Sequence, residues 1–181
     1  SYMDAPLGRT PAHAVDGLLN IMAAGAADDF ARAEPVLKDL GEHVFHLGPL
    51  GSGHTIKLIN NFFGMTVACA MSEAFAMADQ AGVSRQQLFD VMSAGPLKSG
   101  MMEFVKANAV DGNPNMLAFS IANARKDVGY YSTMADDLGA TSLMSGAAKT
   151  SLGMAKATGS GDKMVSEMGD FFAELFEGKA Q

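Results

Sequence analysis

The sequence has no tryptophan and a single cysteine among 181 residues. One thiol excludes an internal disulfide framework and fits a reducing, cytoplasmic compartment. Cys69 stands among Ala68, Ala70 and Met71, with nothing beside it to ionise a nucleophile. Positive charge is also scarce. Lys and Arg total 13 against 20 Asp and Glu, for a net charge of -7. That balance argues against nucleic acid or an anionic membrane as a partner. No apolar run reaches the ~20 residues that cross a bilayer. The longest, Phe62 to Met71, reads as a buried helix instead. No leader pattern opens the chain. His13, His43, His46 and His54 are scattered without metal-ligand spacing, so no metal site is expected.

What is abundant is methionine, 14 residues, within a composition that is 48% hydrophobic. This points to a deformable, methionine-filled helical core. The chain is organised around the stretch Gly48-Pro49-Leu50-Gly51-Ser52-Gly53-His54-Thr55-Ile56-Lys57-Leu58-Ile59-Asn60-Asn61. Its apolar pattern predicts one helix from near Gly53 to near Gly82. Positions three and four apart share a helix face, which groups Lys57 with Asn60 and Asn61. A lysine at a helix start ordinarily lies along the surface with its head in water. Here Ile56, Leu58, Ile59, Phe62 and Phe63 flank it. An apolar setting lowers a lysine's proton affinity, and an adjacent amide can hold a hydroxyl or carboxylate. Together they suggest proton transfer at a carbon–oxygen centre.

Taken in order, Tyr2 to Ala5 predicts a strand ended by Pro6, followed by the loop Leu7-Gly8-Arg9-Thr10-Pro11. Arg9 is either a solvated charge or an anion clamp. Leu18–Ala24 and Glu42–Leu47 read as strands around a helix capped by Asp28 and stopped by Gly41, with Pro35 a warning of a kink. Strand, helix, strand suggests the tail of an α/β layer, with further strands expected upstream. Gly48, Gly51 and Gly53 are spaced G-x-x-G-x-G. The dinucleotide fingerprint is G-x-G-x-x-G, so the cluster reads as a tight turn where another backbone or a ligand comes close. Beyond Gly82 the pattern is helical: Ser84 to Met92, Ser99 or Gly100 to Val110, Leu117 to Leu138, Thr141 or Ser142 to Ala157, and Lys163 to Phe176. Lys126-Asp127 by itself reads as an exposed helix face.

Three runs carry a resemblance. They are Asp4-Ala5-Pro6-Leu7-Gly8-Arg9-Thr10, then Gly48-x-x-Gly51-x-Gly53-x-x-x-Lys57-x-x-Asn60-Asn61, then Phe119 with Lys126-Asp127. In this order they resemble the β-hydroxyacid dehydrogenase family. The resemblance implies a mostly α fold. Residues 1–52 would be the C-terminal remnant of a truncated Rossmann-type, NAD(P)-binding domain. Residues 53–181 would be an all-helical substrate and dimerisation domain that begins with the long interdomain helix. About a hundred residues bearing the phosphate loop would lie outside the chain, leaving this fragment inactive alone. The implied cofactor is NAD or NADP, and the substrate a small anionic hydroxyacid or its semialdehyde. The implied assembly is a homodimer or homotetramer through the helical domain. By the same resemblance Lys57 is the proton donor and acceptor and Asn61 orients substrate beside Asn60. Gly8, Arg9 and Thr10 hold the acid group, and Lys126, packed with Phe119, contacts the nicotinamide. The family's loop usually reads Ser-Gly-Gly. Gly8-Arg9-Thr10 resembles instead the branch with sulfolactaldehyde reductase and γ-hydroxybutyrate dehydrogenase. Met164 stands where the family often has aspartate. The competing reading is a non-catalytic helical dimerisation module in which Lys57 is incidental.

Overall fold

A computed structural model describes residues 1–178, and it is mostly helical with one small sheet. Its contacts fall into two units, Ser1–Asn60 and a second that begins at Asn61.

In the first unit, β1 (Leu7–Gly8), β2 (Leu19–Ala23) and β3 (Gly41–His46) form a sheet in that order. β1 runs antiparallel to β2, with Leu7 opposite Ile21 and Gly8 opposite Asn20. β2 and β3 are parallel, joined by helix α2 (Ala27–Leu40), which is the crossover that parallel neighbours require. Ile21 and Ala23 are buried at the centre of this layer.

The start of the chain differs from the sequence reading. Pairing does not stop at Pro6. Asp4 alone bridges Ala24, the Pro6 carbonyl accepts from the Met22 N–H, and β1 follows. Proline lacks only a donor, so on an edge it continues a strand. The expected loop around Pro11 is instead a short helix, α1 (Pro11–Val15), with proline at its first turn. α2 is capped at Ala26, which places Asp28 and Asp29 in its first turn, where carboxylates favour the positive end of the helix dipole. The helix continues through Pro35 to Leu40.

α3 (Ser52–Gln80) begins in the first unit and continues into the second. From Met65 onward it supplies Met65, Ala68, Cys69, Met71, Phe75 and Ala76 to the core. Around them lie α4 (Arg85–Ser93), α5 (Gly100–Ala109), α6 (Ile121–Asp137), α7 (Leu143–Ala155) and α8 (Met168–Phe176). Ile121, Val128, Leu152, Val165 and Met168 are fully buried. Ser84 makes a reciprocal capping box with Gln87, and the Ser99 side chain caps α5. Arg85 joins three elements. Its guanidinium donates to Asp79 (2.9 Å), Asp170 (2.8 Å) and the Ala109 carbonyl (3.2 Å).

Three helix boundaries move inward from the pattern. α6 starts at Ile121 rather than Leu117. Ala118 adopts a left-handed φ of 49°, and the Ser120 hydroxyl accepts from Asn123 N–H as the cap. The last helix starts at Met168 rather than Lys163. Met164 instead bridges Ser120, and Val165 N–H donates to the Phe119 carbonyl at 2.8 Å. α7 ends at Ala155 in a wide turn over Lys156–Ser160, where Gly159 has φ 92°. Among the described residues no helix is long and apolar enough to cross a membrane.

Candidate active site

The N-terminus of α3 is built from three parts. Gly48 and Gly51 take left-handed φ values of 94° and 93°, which turns the chain from the sheet into the helix. Gly53 then lies so close to β2 that an added Cβ would stand 2.2 Å from the Met22 carbonyl oxygen. Glycine is needed there for the approach of one backbone to another. Finally, Asp4 closes the turn. Its side chain is 4% exposed. Oδ1 accepts from Gly51 N–H (2.7 Å), and Oδ2 from His54 N–H (2.8 Å) and the His54 ring at 3.1 Å. Burial pushes the Asp4 carboxyl up, but these donors outweigh it and hold it below the ordinary carboxylate value.

That shift has a sign. A carboxyl whose folded value is depressed stabilises the protein above its unfolded value of about 3.9. The contribution disappears as pH falls through the folded value. Asp4→Asn is therefore expected to lose stability at pH 7 and to show a weaker acid-induced loss than wild type. Urea midpoints at pH 7 and pH 3 measure the difference.

Lys57 and Asn60 follow on α3, Lys57 half-buried and Asn60 exposed. The surroundings are less enclosed than the sequence suggests, since Ile56 and Ile59 are exposed. In the same unit, Arg9 occupies a left-handed backbone conformation with φ 74°, uncommon for a residue with a side chain. Its Nη1 donates to the Leu18 carbonyl (2.7 Å) and pairs with the Glu42 carboxylate. Glu42 is held below the usual carboxylate range by the hydrogen bond and charge of Arg9. Thr10 Oγ1 lies 2.7 Å from His13 Nδ1. Gly8 is buried in β1 against Asn20.

In the second unit, Asn61 Nδ2 donates to Asp127 Oδ2 at 2.7 Å. A carboxylate only accepts, so it fixes which end of the Asn61 amide faces it. The amide oxygen is left on the other side. Asp127 Oδ1 also pairs with Lys126 Nζ at 3.2 Å, and that ammonium lies 5.8 Å from the Tyr130 ring centre. Phe62 and Tyr131 stack beside them with centroids 4.0 Å apart. Asp127 thus brings together two residues that the sequence singled out, Asn61 and Lys126. Phe119 is placed differently. It packs against the helical core while its carbonyl accepts from Val165. Asp4, Glu42 and Asp127 escaped the sequence reading as site residues. Each is defined by partners far along the chain, and Asp127 lies 66 residues from Asn61. The Cys69 thiol is buried and free. Burial and the charge of Glu73 push it up to about 12, out of nucleophilic range. Among the described residues no cluster of His, Cys, Asp and Glu is arranged to hold a metal.

Comparison with known proteins decides the relationship. Residues 51–171 match the family model described as NAD-binding of NADP-dependent 3-hydroxyisobutyrate dehydrogenase. The chain belongs to the β-hydroxyacid dehydrogenase family. Residues 1–48 match the NAD binding domain of 6-phosphogluconate dehydrogenase. The 3-sulfolactaldehyde reductase of Escherichia coli K12 is 30% identical over 161 residues, 89% of this chain and 54% of that protein. A 3-hydroxyisobutyrate dehydrogenase structure from Salmonella typhimurium superposes with a TM-score of 0.84 at 26% identity, over 93% of this chain and 59% of that one. The Mycobacterium tuberculosis 3-hydroxyisobutyrate dehydrogenase solved with L-serine gives a TM-score of 0.83 at 25% identity, with 93% and 60% coverage. This β-hydroxyacid dehydrogenase chain spans about half the length of the curated relatives it matches.

Proposed function

We propose that the complete protein is an NAD(P)-dependent oxidoreductase that interconverts a small anionic hydroxyacid and its semialdehyde or oxo form. The observation that carries this reading is the Lys57–Asn60–Asn61 face of α3 in a chain of this family. Lys57 would exchange the proton of the substrate hydroxyl. Asn61, its amide set by Asp127, would present its oxygen as an acceptor to that hydroxyl, with Asn60 beside it. Arg9, between Gly8 and Thr10, would hold the acid group through its planar guanidinium fork. The nicotinamide, when bound, supplies or accepts the hydride. Lys126 suits that end of the cofactor, its side chain 52% exposed, and Phe119 is proposed for the same end. The protein's own contribution is placement and the proton.

In domain terms, we assign residues 1–52 to the end of the cofactor-binding domain and 53–181 to the helical substrate and dimerisation domain. The match of residues 1–48 to an NAD-binding model supports the first part. This chain alone, without a G-x-G-x-x-G loop, is proposed to be inactive. The proposal includes a cytoplasmic location, in keeping with a sequence that carries one cysteine and no internal disulfide framework. It also includes a homodimer or homotetramer through the helical part.

A second reading has its own support. The guanidinium in the Gly8-Arg9-Thr10 loop and the likeness to a 3-sulfolactaldehyde reductase favour a sulfonate or γ-hydroxybutyrate-type substrate. The test is a spectrophotometric screen of the complete protein with NADH and NADPH. The substrates are sulfolactaldehyde, succinic semialdehyde, tartronate semialdehyde and methylmalonate semialdehyde. Turnover of at least one is expected, and Arg9→Ala should raise the KM of the preferred acid by about tenfold or more, a lost charge-assisted contact. No turnover with any anionic aldehyde would contradict the reading.

A further inference from the structure

We infer that Asp4 is a positioning residue for Lys57, acting through the first turn of α3; the inference rests on the acid–base reading of that lysine. Asp4 is fastened at two levels. Its backbone exchanges hydrogen bonds with Ala24, N–H to carbonyl at 3.0 Å and the reverse at 2.8 Å, which fixes it to the end of β2. Its carboxylate takes two backbone N–H groups of the α3 entry, Gly51 and His54. A single buried side chain thus ties the sheet to the start of the lysine's helix.

Gly53 makes the fastening tight from the other side. The Cβ it lacks would also lie 2.7 Å from Asp4 Oδ2, so strand, carboxylate and helix meet with no room for a methyl group. His54 is three positions before Lys57 and shares its helix face. A change in the position or rotation of the His54 turn therefore passes directly to Lys57. Proton transfer needs hydrogen-bond reach to the reacting oxygen, and a displacement of about 1 Å can cost on the order of 10²-fold in rate. Neutral asparagine in this place cannot serve both N–H groups. Its oxygen accepts one, and its NH₂ then faces the other, donor against donor.

The role belongs to the Asp4 carboxylate and not to the His54 ring. The ring is largely exposed, and His54→Ala leaves both backbone N–H bonds in place. The experiment measures kcat, KM, cofactor affinity and the pH–rate profile of the complete protein for Asp4→Asn, His54→Ala and Lys57→Ala. All are assayed where circular dichroism shows them folded. Asp4→Asn is expected to lower kcat by about 10- to 100-fold with cofactor affinity unchanged, and to displace the limb of the pH–rate profile that Lys57→Ala abolishes. His54→Ala is expected to stay within about threefold of wild type, since it removes one part-buried ring contact and leaves both backbone N–H bonds to Asp4 in place. If Asp4→Asn does not fold, Asp4→Ser carries the same test, because its hydroxyl still accepts one N–H. A folded Asp4 variant with wild-type kcat and pH profile, alongside an inactive Lys57→Ala, overturns the inference and leaves the lysine's role standing. A fully active Lys57→Ala overturns the role beneath it.

Discussion

Replacing Lys57 by alanine in the complete protein is expected to lower kcat by about 10²- to 10⁴-fold, the usual contribution of a positioned general acid or base. Cofactor affinity should be nearly unchanged, since the proposed contact is with the substrate hydroxyl. Lys57→Arg is expected to fail almost as badly. A guanidinium keeps the charge but does not release its proton in a protein, and its planar fork is a different shape. The pair of variants separates proton exchange from simple charge attraction. Charge attraction alone would leave the arginine variant close to wild type. Steady-state rates and cofactor titration by fluorescence decide between them.

The second large effect concerns stability. Phe75 is 0% exposed and lies on the part of α3 that the helical core packs against, with Phe89, Val105, Leu152 and Met168 in the same cluster. Phe75→Ala is expected to cost about 3–5 kcal/mol, the transfer energy of the ring plus the cavity left behind. A core with many methionines can collapse partly into that space, which favours the lower end. Chemical denaturation at pH 7, with wild type alongside, gives the number. A loss under about 1 kcal/mol would mean that α3 is not the spine of this unit. Since α3 also bears Lys57, Asn60 and Asn61, the residue that holds the core and those proposed to carry the chemistry sit on one continuous element.

What the sequence made legible was local. The long helix was readable because its apolar pattern runs unbroken, and Ser84 and Ser99 because a cap and its partners lie within one turn. The family relationship was readable because glycine, lysine and asparagine fall at fixed spacing over one stretch. What the sequence hid depends on long-range pairing. Pro6 looked like a strand end because proline breaks ladders, yet its carbonyl still accepts from Met22. Leu117 to Ser120 looked helical by composition, yet Ser120 pairs with Met164 and Ala118 turns left-handed.

The site residues divide in the same way. Lys57, Asn60 and Asn61 share a helix face that spacing alone predicts. By its position in the chain Arg9 is a clamp or a solvated charge; its ion pair with Glu42 forms only through the sheet, which local spacing does not show. Asp127 looked like a surface carboxylate beside a lysine. Its bond to Asn61 gives it a part in setting the amide.

The most direct measurement of the acid–base role is chemical rescue of the Lys57→Ala protein by small primary amines. Turnover is expected to rise with amine concentration, and to follow the amine's basicity once its size is allowed for. An alanine variant that needs no amine, turning over as fast as wild type, would contradict it.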